Sequence, residues 1–395
     1  MCRALLVGLR HPVDVSRVPE RAEVVVAGGG VIGTSIAFHL AQAGVRDVVL
    51  VERDRLGSGS SAKPLGGVRA TFSDPGNIRL GLRSLEAFEV FAERFGIDIE
   101  LRQVGYLFLC RTDAELAEVE RSTAVQRELG STVRMVSPRE ACALNPLLRE
   151  EALVGASFSP RDGHARPAAV VQGYRVAAEA LGAIVLEQTE LVGVTAGPAG
   201  IEEVRTDKGT IRTSRLVCAA GAWSSSVGRM VGVELPIEPV RRQIGLAPGS
   251  FPTVPFTLDL STTLYMHNYE RGLLLGISNR DQEPGFDRTY TDQWRPAFER
   301  AARIVAPGVA GLELESGWAG LYENTPDHNA LIGASAEVPG FFYATGFSGH
   351  GFLQAPAVGE VVRDLYLGRA PFLDVSAFSA DRFAGSREVH EVHII

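Results

Sequence analysis

The most regular hydrophobic pattern lies near the start of the chain. A β-branched run at 24–26 predicts a short buried strand, and a glycine-rich stretch follows it. Over 34–43 the apolar positions recur at spacings of three and four residues, which is typical of a helix. A second apolar run at 48–51 predicts another buried strand. The pattern therefore predicts a strand, helix and strand unit within about 30 residues.

Further along the chain, strand-like and helical patterns alternate. We predict strands over 104–109, 183–186 and 271–277, and helices over 113–127 and 168–181. Another helix is predicted to open at Gly351. The fold class is therefore mixed α/β (α+β). The length of 395 residues fits about two or three domains, and the 45% hydrophobic and 22% charged content is typical of globular proteins.

The glycines between the first two strands have the spacing Gly-x-Gly-x-x-Gly. Gly28 permits a tight turn, Gly30 lets the backbone approach a diphosphate, and Gly33 lets the helix pack closely on the strand. The N-terminus of the helix offers N–H groups and a positive dipole end to that diphosphate. Glu52 follows the second strand, where a carboxylate binds the ribose hydroxyls of an adenosine. This pattern predicts a dinucleotide-binding unit.

The motif alone does not separate NAD from FAD, but the next segment does. An NAD-binding unit usually continues into another strand and helix, whereas here a long loop of small residues occupies 57–69. The exposed backbone amides of such a loop suit continued contact along an extended cofactor. The sequence therefore favours FAD.

Charge and cysteine usage exclude several classes of partner. The net charge of −8 gives no positive field for nucleic acid or anionic lipid. The four cysteines lie far apart without metal-ligand spacing, so we expect no metal site. No apolar run reaches the ~18 residues of a membrane span. Residues 1–21 lack a clear secretory pattern, and we expect a disordered extension and a cytoplasmic protein without a nucleic-acid partner.

Four groups of motifs, in order along the chain, carry a family resemblance. They are the glycine motif and loop through 69, the segment 159–167, the strand-to-helix turn 216–224, and the C-terminal pair 317–327 and 344–352. Together they resemble the D-amino-acid oxidase (DAO) superfamily, and within it the sarcosine oxidase and dimethylglycine dehydrogenase-like branch. The C-terminal part also resembles the FAD-dependent oxidoreductase domain-containing proteins of mitochondria.

The resemblance implies a Rossmann-like FAD-binding domain of the glutathione reductase type, interleaved with a β-sheet substrate domain. We predict an N-terminal extension at 1–21, a discontinuous FAD-binding domain at 22–100, 160–235 and 317–395, and a substrate-binding domain at 101–159 and 236–316.

The motifs and the resemblance together imply a set of cofactor contacts. They are Gly28, Gly30, Val31, Ile32, Gly33, Glu52, Arg53, Ser60, Ser61, Lys63, Gly66, Gly67, Leu191, Ala220, Gly221, Trp223, Gly346, Gly349, His350, Gly351 and Phe352. The last five lie at or near the start of the C-terminal helix. A helix start beside the flavin ring would stabilise the negative charge of reduced flavin.

The same reasoning gives five candidate catalytic residues, namely His350, Arg69, Tyr322, Tyr265 and Lys63. The family has an arginine at the position of Arg69, which we expect to contact an anion or the flavin. Tyr265 and Tyr322 are expected to wall the site, because aromatic rings can hold an amine cation or shape an apolar pocket. His350 stands between two glycines of the flavin-facing motif.

Four positions depart from the family pattern. Gly320 stands where monomeric sarcosine oxidases attach FAD through a cysteine, and Lys63 where dimethylglycine-oxidising relatives attach it through a histidine. We therefore expect non-covalent FAD. Leu353 and Leu274 replace the lysines that bind carboxylate and activate oxygen in relatives. The sequence consequently favours neither sarcosine as substrate nor oxygen as acceptor, and leaves Lys63, Arg69 and a protonated His350 as cations near the flavin.

The resemblance implies FAD-dependent oxidation of a secondary amine or amino acid to an imine that water hydrolyses. Its partners would be a small-molecule amine or amino acid and oxygen or another electron acceptor. Three alternatives remain open: an FAD-dependent dehydrogenase of 2-hydroxy acids or glycerol phosphate, a flavin-binding assembly protein with little turnover, and an NAD-only dehydrogenase, against which the distal motifs argue.

Overall fold

The structure is a computed structural model that describes residues 17–63, 65–279, 281–384 and Glu391. Of the predicted N-terminal extension, residues 1–16 lie outside the described residues. Arg21 forms a bridge to Arg212, and the N–H of Arg212 donates to the carbonyl of Glu20 at 2.9 Å. The end of the predicted extension is therefore joined to the folded body.

The described residues form nine α-helices. They are α1 Val31–Gln42, α2 Pro75–Glu89, α3 Phe91–Phe95, α4 Asp113–Glu128, α5 Pro138–Leu144, α6 Pro167–Ala180, α7 Ser224–Val231, α8 Arg295–Val305 and α9 Gly351–Tyr366. The helices predicted over 113–127 and 168–181 are confirmed as α4 and α6 to within one residue at each end. The Thr112 hydroxyl and the Glu115 carboxylate form a capping box that fixes the start of α4.

The strands in the same part of the chain number nineteen. They are β1 Val24–Ala27, β2 Val48–Val51, β3 Gly67–Val68, β4 Tyr106–Cys110, β5 Arg134–Val136, β6 Gly155–Ser159, β7 Gly163–His164, β8 Ile184–Leu186, β9 Leu191–Gly197, β10 Gly200–Thr206, β11 Gly209–Arg212, β12 Leu216–Cys218, β13 Glu238–Pro248, β14 Phe256–Asp259, β15 Tyr265–Tyr269, β16 Gly272–Gly276, β17 Ser316–Asn324, β18 Leu331–Ala334 and β19 Phe341–Thr345. Short 3₁₀ helices occupy several connections, among them Ser60–Ala62 and Gly221–Trp223.

A six-stranded sheet in the order β18-β19-β12-β1-β2-β8 forms the floor of the molecule. Its strands are parallel except for β18, which is antiparallel to β19. Strands β1 and β2 are buried along their whole length because helices cover one face of the sheet and strands cover the other. Helices α1, α6 and α9 form the helical layer, and the antiparallel sheet β11-β10-β9 contributes to the opposite one. This arrangement confirms the predicted Rossmann-like fold.

An eight-stranded sheet in the order β17-β13-β16-β15-β14-β4-β6-β5 forms the roof. Its pairs are antiparallel except β14 with β4. Helices α5 and α8 pack on its outer face. Its inner face carries a separate cluster of apolar and aromatic side chains, including Tyr106, Phe256 and Tyr265.

The predicted domain boundaries stay a prediction. Strand β17, which we predict with 317–395 as part of the FAD-binding domain, pairs along its length with β13 in the roof. The same strand contacts the floor, because the hydroxyl of Thr345 on β19 donates to the carboxyl of Glu323 at 3.3 Å. It therefore contacts both sheets.

Candidate active site

The turn after β1 holds the backbone in a conformation that only glycine accommodates easily. Gly28 has φ +110°, and a Cβ at that position would overlap the carbonyl of Ala219, directly after the neighbouring strand β12. A Cβ at Gly33 would in turn overlap the carbonyl of Gly28. These two glycines therefore let strand, turn and helix approach one another, as the motif predicted.

The N-terminus of α1 opens at this turn. Gly30 is the capping residue, and the N–H of Val31 donates to the hydroxyl of Ser61 at 3.0 Å. The first N–H groups of a helix have no partner within the helix, and an oxygen ligand is suited to them. The hydroxyl of Ser61 therefore lies at the place where the sequence predicts the diphosphate.

The carboxylate of Glu52 is fixed by two backbone N–H groups. One oxygen accepts from Gly29 at 2.7 Å and the other from Asp54 at 2.8 Å. Next to it, the guanidinium of Arg53 lies 4.3 Å from the ring centre of Trp223. This contact joins the end of β2 to the turn after β12. Both Glu52 and Trp223 are among the cofactor contacts predicted from the sequence.

The loop at 57–69 is attached to β17 rather than free. The indole N–H of Trp318 on β17 donates to the carbonyl of Lys63 at 3.2 Å. The same strand accepts a hydrogen bond from the hydroxyl of Ser60. A Cβ at Gly320 would lie 2.6 Å from the Cβ of Lys63. The position where relatives carry a cofactor-linked cysteine therefore has no room for a side chain here.

A large cavity lies between floor and roof. It encloses about 1530 Å³ of space, which includes space open to solvent. Most of the expected cofactor contacts line it, together with three of the expected catalytic residues, Lys63, Tyr265 and Tyr322. The lining includes Gly28, Gly30, Val31, Ile32, Glu52, Arg53, Ser60, Ser61, Leu191, Ala220, Gly221, Trp223, Gly349, Gly351 and Phe352.

A second, smaller cavity of about 470 Å³ adjoins the first. Arg69 and His350 line it with Gly66 and Gly67, and Tyr322 lines both cavities. Two expected cofactor contacts, Gly33 and Gly346, line neither one. Gly33 packs against Gly28, and Gly346 against Thr325 and Ile237.

Arg69 is 3% exposed and lies among aromatic rings. Its guanidinium donates to the carbonyl of Thr71 and lies 4.1 Å from the ring centre of Phe72. Burial lowers its pKa, although an arginine stays charged under physiological conditions. Nearby, the carboxyl of Asp162 accepts from the N–H of Ala70 at 3.3 Å and the hydroxyl of Thr71 at 3.1 Å. Burial raises the pKa of Asp162 to about 6.

The other candidates differ in how their polar atoms are used. His350 is buried at the N-cap of α9, with its ring centre 5.0 Å from that of Phe72. Burial raises the pKa of the Tyr322 hydroxyl. The hydroxyl of Tyr265 donates to the carbonyl of Gln243 at 2.9 Å. The ring of Tyr265 therefore lines the cavity, while its hydroxyl forms a hydrogen bond within the roof sheet.

Four charged residues that line the first cavity were not among the predicted site residues: Asp54, Glu190, Arg242 and Glu323. Arg242 adds a cation to those expected near the flavin. The alternation of side chains along β13 puts Arg242 on one face with Ile244, and this alternation could have indicated its position from the sequence. Glu323 is half-buried. Its carboxyl accepts from the hydroxyl of Thr345 at 3.3 Å and the N–H of Phe347 at 3.4 Å, and burial raises its pKa to about 7. No sequence pattern marked it.

The comparison with protein families decides the identity of this cleft. A profile of the DAO family, described as "FAD dependent oxidoreductase", matches residues 23–365. The chain belongs to the DAO family of FAD-dependent oxidoreductases. The predicted resemblance is thereby confirmed, and with it the expectation of an FAD-dependent enzyme of amine or amino acid oxidation.

Individual DAO relatives match nearly the whole chain. Glycine oxidase from Geobacillus kaustophilus is 31% identical and covers 93% of this chain and 98% of its own. Mouse mitochondrial dimethylglycine dehydrogenase is 27% identical over 95% of this chain, which spans only 46% of that relative's length. Among solved structures, L-proline dehydrogenase from P. horikoshii superimposes with a TM-score of 0.88 at 34% identity, covering 93% and 99% of the two chains.

The residues of this DAO-family cleft fit FAD. The cavity runs from Glu52 past the open end of α1 to Tyr322, and Gly28 and Gly30 of the glycine turn line it. In the described ranges, no group of three or more His, Cys, Asp and Glu side chains is arranged to hold a metal ion. No helix there has the length and apolarity needed to cross a bilayer.

Proposed function

We propose that this chain oxidises a secondary amine or an amino acid to an imine, which water then hydrolyses. Bound FAD would supply the hydride acceptor. The observation that carries the proposal is the junction of the two cavities at Tyr322: the first is lined by the expected cofactor contacts, and the second by Arg69 and His350. The similarity to glycine oxidase and L-proline dehydrogenase supports the amine over the alcohol alternative.

We expect Arg69 to bind an acid group of the substrate. It lines the second cavity, and the carbonyl of Thr71 fixes its guanidinium, so little side-chain freedom would be lost on binding. Charge-assisted hydrogen bonds from a guanidinium to a carboxylate are strong and directional. The rings of Tyr106 and Phe256 wall the same cavity and would keep water from the bound substrate.

The charges around Tyr322 favour a neutral amine. Arg69 and Arg242 are both positive and both act on the Tyr322 hydroxyl. A nearby positive charge disfavours an ammonium ion, so it lowers the pKa of a bound amine. Hydride loss needs the lone pair of the amine nitrogen, and these cations would therefore prepare the substrate without a strong base.

The proposed reaction balances with bound FAD as hydride acceptor, water and a final electron acceptor. The C–H bond beside the nitrogen breaks, and its electron pair leaves as hydride while the nitrogen lone pair forms the C=N bond. A secondary amine loses its N–H proton to solvent, and water then adds to the imine carbon and releases a carbonyl product and an amine. An electron acceptor, oxygen or another, regenerates the oxidised cofactor.

Anaerobic mixing tests the substrate class. FAD-loaded protein would be exposed to N-methyl amino acids, imino acids, primary amino acids, 2-hydroxy acids and glycerol phosphate. We expect at least one amine to bleach the flavin absorbance and the hydroxy compounds to leave it unchanged. Bleaching by a hydroxy acid alone would replace the proposal with the dehydrogenase alternative. Comparing peroxide yield with dye reduction identifies the acceptor.

The absence of a covalent bond to the cofactor is a separate proposal. Gly320 has no side chain to form one, and a Cβ there would meet Lys63 at 2.6 Å. Acid precipitation of the yellow protein should release the colour into the supernatant. Colour that stays in the pellet would show a covalent attachment.

A further inference from the structure

Arg242 lies on the inner face of the roof, among apolar side chains. Along β13 alternate residues face the same side, so Arg242 shares its face with Ile244 and Leu246. Those two belong to the apolar cluster of the inner face. Arg242 and Ile244 both line the first cavity.

Among the described residues, Arg242 has no acidic side chain within ion-pair distance. Its Nη1 donates only to the backbone carbonyls of Arg241 at 3.3 Å and Asn279 at 3.4 Å, and its buried Nε donates to no atom of the described chain. The preceding residue, Arg241, also has a buried Nε without a partner in the described chain, but its Nη1 forms an ion pair with Asp287 at 2.7 Å.

This environment is unfavourable for a cation. Burial lowers the pKa of Arg242, and removing a charged group from water without a counter-charge costs free energy. An uncharged side chain of similar length would fill the same space on an apolar face at lower cost. An anion that enters the cavity would restore the missing counter-charge.

The position of Arg242 relative to Tyr322 indicates which anion that is. Its guanidinium lies 5.4 Å from the ring centre of Tyr322. The positive charges of Arg242 and Arg69 both oppose the rise in the pKa of the Tyr322 hydroxyl. Arg69 belongs to the second cavity and Arg242 to the first. Two guanidinium groups therefore approach one phenol from adjoining cavities.

We infer that Arg242 forms a second anion subsite and that the substrate is an amine with two acid groups, such as an N-carboxyalkyl amino acid or a dicarboxylic amino acid. This inference rests on the proposed function. One carboxylate would bind at Arg69, and the other, at the far end of the molecule, at Arg242. The cofactor diphosphate has its own site at the turn of Gly28, so it does not compete for Arg242.

Equilibrium binding of unreactive acids tests the subsite directly. FAD-loaded protein would be titrated with succinate and glutarate and with the monoacids butyrate and valerate, following the flavin spectrum. We expect the diacids to bind at least about 10-fold more tightly than the monoacids of equal length. Arg242→Met should remove about 10- to 100-fold of diacid affinity and leave the monoacids unchanged, because one charge-assisted contact is lost.

Two further variants complete the design. Arg241→Met is the matched control, since Arg241 is the next residue on the strand and pairs with Asp287. It should keep the diacid preference. Arg242→Lys should retain part of the preference, because a lysine keeps the charge without the planar fork of donors.

Three results would overturn the subsite. They are equal losses for diacids and monoacids in Arg242→Met, no loss for either, or a loss of FAD affinity that assigns Arg242 to the cofactor. The titration needs no turnover, so it can be read even if no amine is oxidised. Amine oxidation without diacid preference would keep the proposed function and remove this inference.

Discussion

The floor and the roof of the cleft are built in different ways. The floor contacts come from short segments such as 27–32, most of whose residues line the first cavity. The roof contacts come from side chains on strands far apart in sequence, among them Arg242 on β13 and Tyr265 on β15. Local sequence therefore determines the cofactor cradle, whereas strand register determines what lies above it.

This difference predicts how each half responds to substitution. A change in the floor affects backbone packing and should impair folding and FAD binding together. A change on the inner face of the roof affects one side chain and should alter substrate binding while FAD binding persists.

The largest effect is expected from Gly28→Ala in the floor. The variant should lose about 3 kcal/mol or more of stability and retain no measurable FAD, because its Cβ adds an overlap with Ala219 to the strain of a positive φ. Thermal unfolding and FAD titration measure both quantities.

The matched control is Gly44→Ala. Gly44 also has a positive φ, +89°, but within the described structure no atom beyond Gly44 and its two chain neighbours lies within 4 Å of the position of its Cβ. That variant should lose about 1–2 kcal/mol and bind FAD normally. Equal behaviour of the two variants would mean that backbone strain alone, and not close approach at the cradle, makes Gly28 necessary.

Arg69→Met should give the next largest effect. In contrast to Gly28→Ala, it should impair the reaction with substrate while FAD binding persists. We expect kcat/KM for the best amine substrate to fall about 100- to 1,000-fold, because a substrate carboxylate would lose a buried charged partner. FAD affinity should change less than threefold. Arg46→Met, at an exposed position, is the control. If FAD affinity and kcat/KM fall together, Arg69 supports the cofactor rather than the substrate.

Prediction from sequence succeeded where the pattern was local. The elements at 24–51 could be predicted because buried strands, glycine turn and helix follow one another directly in the chain. The FAD family was also predictable, because the motifs at 216–224 and 344–352 each occupy one short segment. In the floor, a residue's neighbours in sequence are largely its neighbours in space.

Prediction was weakest for the roof. Arg242 lies opposite Gly320 and near Tyr322 only because β13 pairs with β17 in one register, across about 80 residues of chain. A shift by one residue would turn Arg242 to the outer face. Glu323 illustrates the same limit, because its hydrogen-bond partners Thr345 and Phe347 come from another strand and the turn after it. Burial raises the pKa of Glu323, whereas these two hydrogen bonds lower it.

Glu323→Gln should change how the stability of the FAD-free protein depends on pH. Burial raises the pKa of Glu323 from 4.5 to about 7. Between these values the folded state holds a proton that the unfolded state has released, so stability falls as pH rises through that window. The wild type should therefore lose up to about 3 kcal/mol relative to the variant, measured as unfolding midpoints from about pH 5 to about pH 8.

Asp162→Asn is the comparison that shows which range of pH belongs to Glu323. The pKa of Asp162 is raised from 3.8 only to about 6, so its effect should be complete at a lower pH than that of Glu323. If Glu323→Gln leaves the pH dependence unchanged, Glu323 titrates normally and the wall of the cavity is better hydrated than its burial indicates.

The smallest effect is expected where floor and roof meet, at Gly320 and Lys63. Gly320→Ala should cost about 1–3 kcal/mol of stability, because the new Cβ would lie 2.6 Å from the Cβ of Lys63 and one backbone must shift. Lys63→Gly removes the opposing atom, so the double variant should recover most of the loss in a double-mutant cycle of unfolding free energies. Lys63→Ala keeps that Cβ and should give no recovery when it is combined with Gly320→Ala. Recovery of stability by both Lys63 variants would show that the Cβ introduced by Gly320→Ala overlaps the outer part of the lysine side chain and not its Cβ. That result would leave room for a side chain at Gly320 and weaken the structural reason for a dissociable cofactor.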